Sequence, residues 1–389
     1  MEKNPGIFND VIGPIMRGPS SSHTAASWRV AKICMDILNE PLKKAIIEFD
    51  KDGAWASNYK EQGTSLGIEG GLLGLKITDD RMKNTELVAK KLGISIQYQI
   101  NSFKTNHVNT FRLSLESING KNIQVVAVSI GGGSFEIQNI DGFEVKICGE
   151  FYELLLFNSI KKIVLEELQV MLPQSKSIVD SFSNDRRLIN IKFSNEISVK
   201  TIEKLKGVLN FEEFIITKPV LPIVAGNELK LPFTSVTSLL EFAEKEDLDL
   251  GALGLIYEQC QSGLEDSAVI DRMKNLVSII ENSIKIGLEG TTYEDRILPQ
   301  QSHLINKAKK GNKILQNSII NQIIANVSAI MESKSAMEVI VANPTAGSCG
   351  VVGGVLRAVA DDIDASHDEL IRAYFATGII GIYFAMGPG

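Results

Sequence analysis

Apolar residues recur along the chain with two different periods, and the pattern changes near Pro232. Before this residue, short β-branched or alternating runs, which predict strands, stand beside amphipathic runs, which predict helices. Beyond it, apolar residues recur every three to four positions, as they do in long helices. The sequence therefore predicts an α/β part followed by a nearly all-helical part.

The first part contains one clear amphipathic run and several short apolar runs. Val30, Ile33 and Ile37 recur at helical spacing. We therefore predict a helix over Ala25–Leu38 that buries Cys34. Strands are predicted at KKAIIEFD (43–50), SIQYQI (95–100), TFRLSLES (110–117) and VVAVSI (125–130), and a glycine-rich helix at EGGLLGL (69–75). Together these elements predict an α/β sandwich domain over residues 1–149.

The rest of the chain predicts two further domains. Residues 150–226 alternate between helical patterns, at LFNSIKKIVLEELQVML and VKTIEKLKGVL, and strand patterns, at RLINIKF and FEEFIITKPV. Their size and alternation predict a small ferredoxin-like module. Residues 227–389 predict a helical domain, with helices over Ser235–Glu246, Gly251–Gln259, Ala268–Gly287, Leu315–Met331 and Val351–Asp361. The predicted fold class is therefore α+β with three domains.

Composition narrows the class of partner. The chain has 389 residues, of which 44% are hydrophobic and 22% charged, and its net charge is −7. A negative net charge disfavours a nucleic-acid partner, because phosphate binding needs clustered Lys and Arg. The first residues lack a secretory pattern, and no apolar run is long enough to span a bilayer. We expect a cytoplasmic protein that acts on a small molecule, with no membrane and no nucleic-acid partner.

The first chemical motif is GPSSSHT, which leads into the predicted helix. The first amides of a helix lack intrahelical partners and favour anions. Ser20, Ser21, Ser22 and Thr24 add hydroxyl donors, so the loop could bind a carboxylate, with Ser22 or Thr24 capping the helix. His23 could move a proton near neutral pH. The alternative is a capped turn without a ligand.

The second motif is ANPTAGSCGVVGGVLRAVADD (342–362), in which Cys349 lies close to a predicted helix start. A helix N-terminus favours the thiolate, so this position predicts a lowered pKa for Cys349. Thiolate is also a ligand for iron. The alternative is a turn of small residues, including Thr345, whose cysteine only packs.

Two further loops carry polar or glycine residues between predicted strands. TNHVNTF (105–111) contains His107 and Asn109, which are also common in simple turns. SIGGGSFEI (129–137) is a glycine-rich turn that lacks the G-x-G-x-x-G spacing and a following helix, so it does not support a dinucleotide site. The four histidines show no metal-binding spacing, which disfavours a zinc hydrolase.

Four motifs in this order resemble those of the iron–sulfur-dependent L-serine dehydratases: GPSSSHT (18–24), HVNT (107–110), SIGGG (129–133) and NPTAGSCGVVGGVL (343–356). The first and the last form a specific pair. The resemblance covers most of the chain and implies an α/β sandwich β domain, a degenerate ACT-like module and a helical α domain that holds a cluster.

The resemblance also implies a reaction and its residues. Members of this family carry a four-iron, four-sulfur (4Fe-4S) cluster with three cysteine ligands, of which the first corresponds to Cys349. They convert L-serine to pyruvate and ammonia. By this resemblance His23 and then His107 are the candidates for proton transfer. The residues expected to bind substrate are Ser20, Ser21, Ser22, Thr24, Asn109 and Thr345. A homodimer is expected.

The sequence also departs from the family pattern. The family's G-H-G-T-D appears as EQGTS (61–65), and its N-A-S-M-G appears as KSAME (334–338). Its further cluster cysteines follow the Cys349 motif, whereas the last 40 residues of this chain contain no cysteine. We therefore expect a chain truncated from a longer enzyme. The alternative is a small-molecule-binding protein that has lost the cluster.

Overall fold

The structure is a computed structural model that describes residues 4–103, 105–159, 165–208, 211–294, 296–311, 318–345 and 347–386. The chain divides into two compact units. The first, termed the helical unit, comprises Met1–Ser21 and Asn227–Gly389, and the second, termed the sheet unit, comprises Ser22–Gly226. Both helices and mixed sheets are present, so the predicted α+β class is confirmed. The three predicted domain boundaries stay predictions.

The strands in chain order are β1 (Ile15–Arg17), β2 (Leu42–Asp50), β3 (Ser95–Asn101), β4 (Thr110–Ser117), β5 (Asn122–Gly131), β6 (Ser134–Ile140), β7 (Phe143–Ile147), β8 (Tyr152–Ser159), β9 (Ser177–Ser183), β10 (Arg186–Phe193), β11 (Glu213–Thr217) and β12 (Val339–Val341). The helices are α1 (Ala26–Leu38), α2 (Thr64–Leu72), α3 (Thr85–Leu92), α4 (Leu165–Met171), α5 (Val199–Val208), α6 (Val236–Glu246), α7 (Leu250–Ser262), α8 (Asp266–Glu289), α9 (Ser302–Lys310), α10 (Ser318–Ser335), α11 (Ser348–Asp362) and α12 (His367–Met386).

The sheet unit is built around a six-stranded sheet in the order β3-β2-β4-β5-β6-β7. β2 and β3 are parallel, and the other neighbours are antiparallel. Helix α1 packs on this sheet through its apolar face, and Val30, Ile33 and Cys34 are fully buried in the shared core. The predicted helix and the buried position of Cys34 are confirmed.

A second, four-stranded sheet in the same unit has the order β11-β8-β10-β9, with all neighbours antiparallel. With α4 and α5 its elements follow the order β-α-β-β-α-β, which is the ferredoxin-like connection. The helix predicted over residues 156–172 is wrong at its start, because Tyr152–Ser159 forms β8. Residues 160–164 of that prediction lie outside the described residues, and α4 confirms its end.

Strand β8 is apolar on both faces, which explains the error. Leu154 and Leu156 are buried in the core that contains residues of α4 and α5. Leu155 and Phe157 are buried in the core of the six-stranded sheet. A continuous apolar run of this kind has no alternation that would separate a strand from a buried helix.

A polar cluster also lies on β8 and its neighbour β10. Glu153 is fully buried, and its Oε2 accepts a hydrogen bond of 2.8 Å from Asn190 Nδ2. Lys192 Nζ lies 3.8 Å from the other carboxylate oxygen. Burial raises the pKa of Glu153 to about 7, because these two partners only partly compensate the loss of hydration.

The helical unit contains α6 to α12 and a two-stranded antiparallel ribbon formed by β1 and β12. Val277, Ile280 and Ala329 are buried along α8 and α10. The helix predicted over Leu315–Met331 is observed from Ser318, and residues 312–317 lie outside the described residues. Across the described part of the chain, no helix combines the length and apolar character that crossing a bilayer requires.

Candidate functional site

The serine-rich loop is itself helical. Ser21–Ala25 forms one π-helical turn that continues into α1. The predicted cap by Ser22 or Thr24 is therefore wrong, since Ala25 precedes α1 with helical φ and ψ of −71° and −44°, and no side chain caps it. The first amides of this helical segment belong to the π-helical turn instead of α1. Ser20 and Ser21 are half-buried at the start of this turn.

Thr24 anchors the turn within the sheet unit. Its side chain is fully buried, and its Oγ1 donates a hydrogen bond of 3.3 Å to the backbone oxygen of Gln62. Gly63 packs directly on this hydroxyl, so a Cβ at Gly63 would collide with it. Gly63 also has a φ of +83°, which favours glycine. The predicted substrate-binding hydroxyl of Thr24 is thus held by the protein's own backbone.

His23 lies beside Trp55, with the ring centroids 5.2 Å apart and the planes tilted by 30°. Burial lowers the pKa of His23 from its usual value, and a hydrogen bond with Asn58 partly offsets this effect. The neutral imidazole therefore predominates at neutral pH. A neutral imidazole can accept a proton, as a general base must.

Three of the sequence motifs meet in the sheet unit. Ser129 Oγ donates a hydrogen bond of 2.8 Å to the backbone oxygen of Ser22, which joins SIGGG to SSSHT. Asn109 Nδ2 donates a hydrogen bond of 3.3 Å to the backbone oxygen of Ser129, which joins HVNT to SIGGG. Arg29 is buried and donates from Nη1 to the backbone oxygen of Gly133, at 2.7 Å. Ser22, His23, Asn109 and the glycine turn thus form one cluster.

His107 has a different environment from His23. Its side chain is exposed, and its Nδ1 accepts a hydrogen bond of 3.1 Å from the backbone amide of Asn109. Its backbone oxygen accepts a hydrogen bond of 2.7 Å from Thr110 Oγ1. These contacts close the turn before β4. The predicted catalytic role of His107 stays a prediction.

In the helical unit, Cys349 lies at the start of α11 and is buried. Thr345 is exposed in the preceding turn, where its backbone oxygen accepts a hydrogen bond of 2.6 Å from Ser348 Oγ. The predicted lowering of the Cys349 pKa is wrong. Burial raises the pKa of this thiol and outweighs the opposing effects of Lys334 and the amides of Gly350 and Cys349.

The family model described as "Serine dehydratase alpha chain" matches residues 165–388, which is more than half of the chain. The "L-serine dehydratase, beta chain" of Peptoniphilus asaccharolyticus is 32% identical over 215 residues, which cover 54% of this chain and 96% of that protein. The chain belongs to the L-serine dehydratase family.

Two further relatives of the L-serine dehydratase family come from Bacillus subtilis (strain 168). The "Probable L-serine dehydratase, beta chain" is 34% identical over 152 residues, which cover 39% of this chain and 68% of that protein. The "Probable L-serine dehydratase, alpha chain" is 26% identical over 153 residues, covering 39% of this chain and 51% of that protein. The chain therefore resembles both chain types, and it spans about half the length of this alpha chain.

The four cysteines of this family member lie on separate elements. Cys34 is in the core of the sheet unit, Cys148 follows β7, and Cys260 lies on α7. Among the described residues, no three Cys, His, Asp or Glu side chains are grouped so that they could hold a metal ion. An iron–sulfur cluster needs several thiolates. Cys349 alone therefore does not fit the whole cluster.

Sequence reasoning missed the residues that surround His23. Trp55, Asn58 and the backbone of Gln62 come from the segment that follows β2. Two signals were available in this segment. Trp55 is one of only two tryptophans in the chain, and EQGTS departs from the family pattern at the residue that contacts Thr24.

Proposed function

We propose that this protein is an L-serine ammonia-lyase that converts L-serine to pyruvate and ammonia. The observation that supports this most is the match to an L-serine dehydratase beta chain over almost all of that chain's length. The hydrogen bonds that link Ser22, Asn109 and Ser129 within the sheet unit support this proposal, because they bring residues of SSSHT, HVNT and SIGGG together.

The chemistry requires a base, a carboxylate site and departure of the C3 hydroxyl. We propose that His23 is the base that removes the α-proton, because its lowered pKa keeps the imidazole neutral. Ser20, Ser21 and Ser22 would donate hydrogen bonds to the substrate carboxylate. Loss of the α-proton and of the hydroxyl as water leaves an aminoacrylate. This tautomerises to an imine, and water hydrolyses the imine to pyruvate and ammonia.

The remaining assignments are secondary to this reaction. Asn109 would orient the substrate or a neighbouring side chain, and Thr345 stays a proposed substrate-binding residue. The buried hydroxyl of Thr24 donates to Gln62, so Thr24 would act by holding the serine-rich turn in place. We also propose that residues 150–226 are an ACT-like module, on the basis of their β-α-β-β-α-β order. A homodimer is proposed from the family resemblance, and the mass of the protein in native mass spectrometry tests it.

For the iron–sulfur cluster, the proposal names a single ligand. We propose that Cys349 is one ligand of a four-iron, four-sulfur cluster in the active enzyme. The described residues include four free cysteines but no grouped set of ligands. For this reason no reaction step is assigned to the cluster.

The test is an anaerobic assay of the iron- and sulfide-reconstituted protein with L-serine, in which pyruvate is followed by coupled NADH oxidation. Replacing His23 by Gln should lower kcat by about 10²–10⁴-fold, which is the usual contribution of a general base. Replacing His367 by Gln, at an exposed position at the start of α12, is the matched control and should change little.

Two outcomes would contradict the proposal at different levels. If His23→Gln retains full activity, His23 is not the base. If the reconstituted protein binds L-serine in calorimetry but releases no pyruvate, the protein is a binding protein and not a lyase.

A further inference from the structure

The N-terminal segment of the chain belongs to the helical unit, whose remaining residues begin at Asn227. Residues 4–17 precede the sheet unit and lie outside the region that matches the alpha-chain family. The side chains of Ile7, Phe8, Val11 and Ile12 are nevertheless almost completely buried. Helix α12 supplies the apolar surface against Ile7, Phe8 and Val11, and α7 binds the backbone of the segment. We call this segment, Asn4–Arg17, the N-terminal strap.

Helix α7 recognises the backbone of the strap. Glu258 Oε2 accepts a hydrogen bond of 2.6 Å from the amide of Ile7, which is 251 residues away in sequence. The neighbouring Tyr257 donates its hydroxyl to the backbone oxygen of Pro5, at 2.8 Å. One turn later, Gln261 Nε2 donates to the backbone oxygen of Asn4, at 2.7 Å. These contacts depend on the path of the strap more than on its side chains.

Helix α12 supplies the apolar wall. Phe375 meets Phe8 edge to face, with ring centroids 6.5 Å apart. Gly381 faces Val11 so closely that a Cβ at Gly381 would collide with the valine side chain. A side chain at Gly381 would therefore require Val11 on the strap to move. The groove between α7 and α12 fits this segment in both polarity and shape.

The far end of the strap holds the strand that leads to Cys349. The amide of Gly13 donates a hydrogen bond of 2.9 Å to the backbone oxygen of Ala342. The amide of Ala342 donates a second hydrogen bond of 2.9 Å to the backbone oxygen of Pro14. Asn343 Nδ2 donates to the backbone oxygen of Val11, at 2.8 Å. β1 then pairs with β12. The strap is thus bonded to the residues just before the Cys349 turn.

We propose that the strap is a docking peptide, that α7 and α12 form its receptor groove with Glu258 as the recognition residue, and that docking positions the Cys349 turn. This inference does not depend on the proposed reaction.

The charge state of Glu258 should control docking. Its carboxyl group is fully buried, and its Oε1 has no hydrogen-bond partner among the described residues. Burial raises the pKa of Glu258 to about 8, although the amides of Ile7 and Phe8 lower it. Of the charged side chains that face it, Asp10 on the strap raises this pKa and Arg272 on α8 lowers it. Ionisation therefore places a poorly compensated charge under the strap.

Hydrogen exchange read by mass spectrometry on the full chain tests docking. Gly381→Val should speed exchange of the strap amides by about tenfold or more, while peptides from the sheet unit keep their rates. In the wild-type protein, protection of the strap should fall by up to about tenfold for each unit between about pH 6 and pH 8, after correction for intrinsic exchange. Glu258→Gln should remove this pH dependence, and Glu244→Gln, at an exposed position on α6, should retain it.

Alkylation of Cys349 tests the second half of the proposal at a single pH. Gly381→Val should speed the labelling of Cys349 by iodoacetamide by about tenfold, whereas Cys34, in the core of the sheet unit, should stay unreactive. Strap amides that exchange at the wild-type rate in Gly381→Val, and that show no pH dependence in the wild-type protein, would overturn the docking site. Faster strap exchange with unchanged Cys349 labelling would overturn the positioning role.

Discussion

Glu153 offers a quantitative test of the buried polar cluster on β8. The change is Glu153→Gln, which keeps the shape of the side chain and removes its ability to ionise. Burial raises the pKa of Glu153 from 4.5 to about 7. Since the folded-state pKa exceeds the unfolded one, the cost of ionisation is absent below about pH 4 and grows until about pH 7.

The magnitude follows from this difference of pKa. A shift of this size corresponds to about 3–4 kcal/mol, at about 1.4 kcal/mol for each pKa unit. The glutamine variant should therefore resemble the wild-type protein near about pH 4 and be more stable by about 2–3 kcal/mol near about pH 8. Lys192 loses its ionic partner in the variant, which reduces the gain, although its Nζ also donates to the backbone oxygen of Lys146, at 2.6 Å.

Urea unfolding of both proteins, followed by far-UV circular dichroism across this pH range, measures the effect. The informative quantity is the difference between the two unfolding free energies, because contributions from all other titrating groups cancel in it. A difference that stays constant with pH, or that favours the wild-type protein more at alkaline pH, would refute the assignment of a high pKa to Glu153.

Three further predictions concern the candidate site. Gly63→Ala should destabilise the protein by about 1–3 kcal/mol in urea unfolding, because of its positive φ and its contact with Thr24; an unchanged midpoint would argue against this packing. L-serine turnover should fall as pH decreases through the lowered pKa of His23, and nuclear magnetic resonance titration should give that residue a pKa below 6.5; a value above it would contradict its burial. Cys349→Ser should reduce iron bound after reconstitution while Cys260→Ser retains it, and equal iron in both variants would remove Cys349 as a ligand.

Elements with a clear hydrophobic period could be predicted from the sequence. α1 can be predicted almost to the residue, because its fully buried apolar residues recur at helical spacing with half-buried residues between them. β8 could not be predicted, because it is buried on both faces and its apolar residues do not alternate with polar ones. The strap was missed for a different reason. Its binding residues lie more than 200 positions away, and no local pattern reports such a partner.

The candidate site shows the same division. Which motifs carry polar groups could be predicted from residue types alone, and three of these motifs do meet in the sheet unit. The raised pKa of Cys349 could not be predicted, because the sequence indicates a helix N-terminus but not the burial of the thiol. The prediction of a helix cap is wrong for a similar reason, since a π-helical turn and a capping loop can have the same residue composition.

The insertion of the sheet unit between Ser21 and Asn227 has a consequence for synthesis of the protein. Ile7 leaves the ribosome 251 residues before Glu258, its hydrogen-bond partner. At usual elongation rates of about 5–20 residues per second, this corresponds to a wait of about 10–50 s. During that interval the sheet unit can fold while the apolar side chains of the strap stay exposed to solvent. Nascent chains of this protein should therefore bind ribosome-associated chaperones.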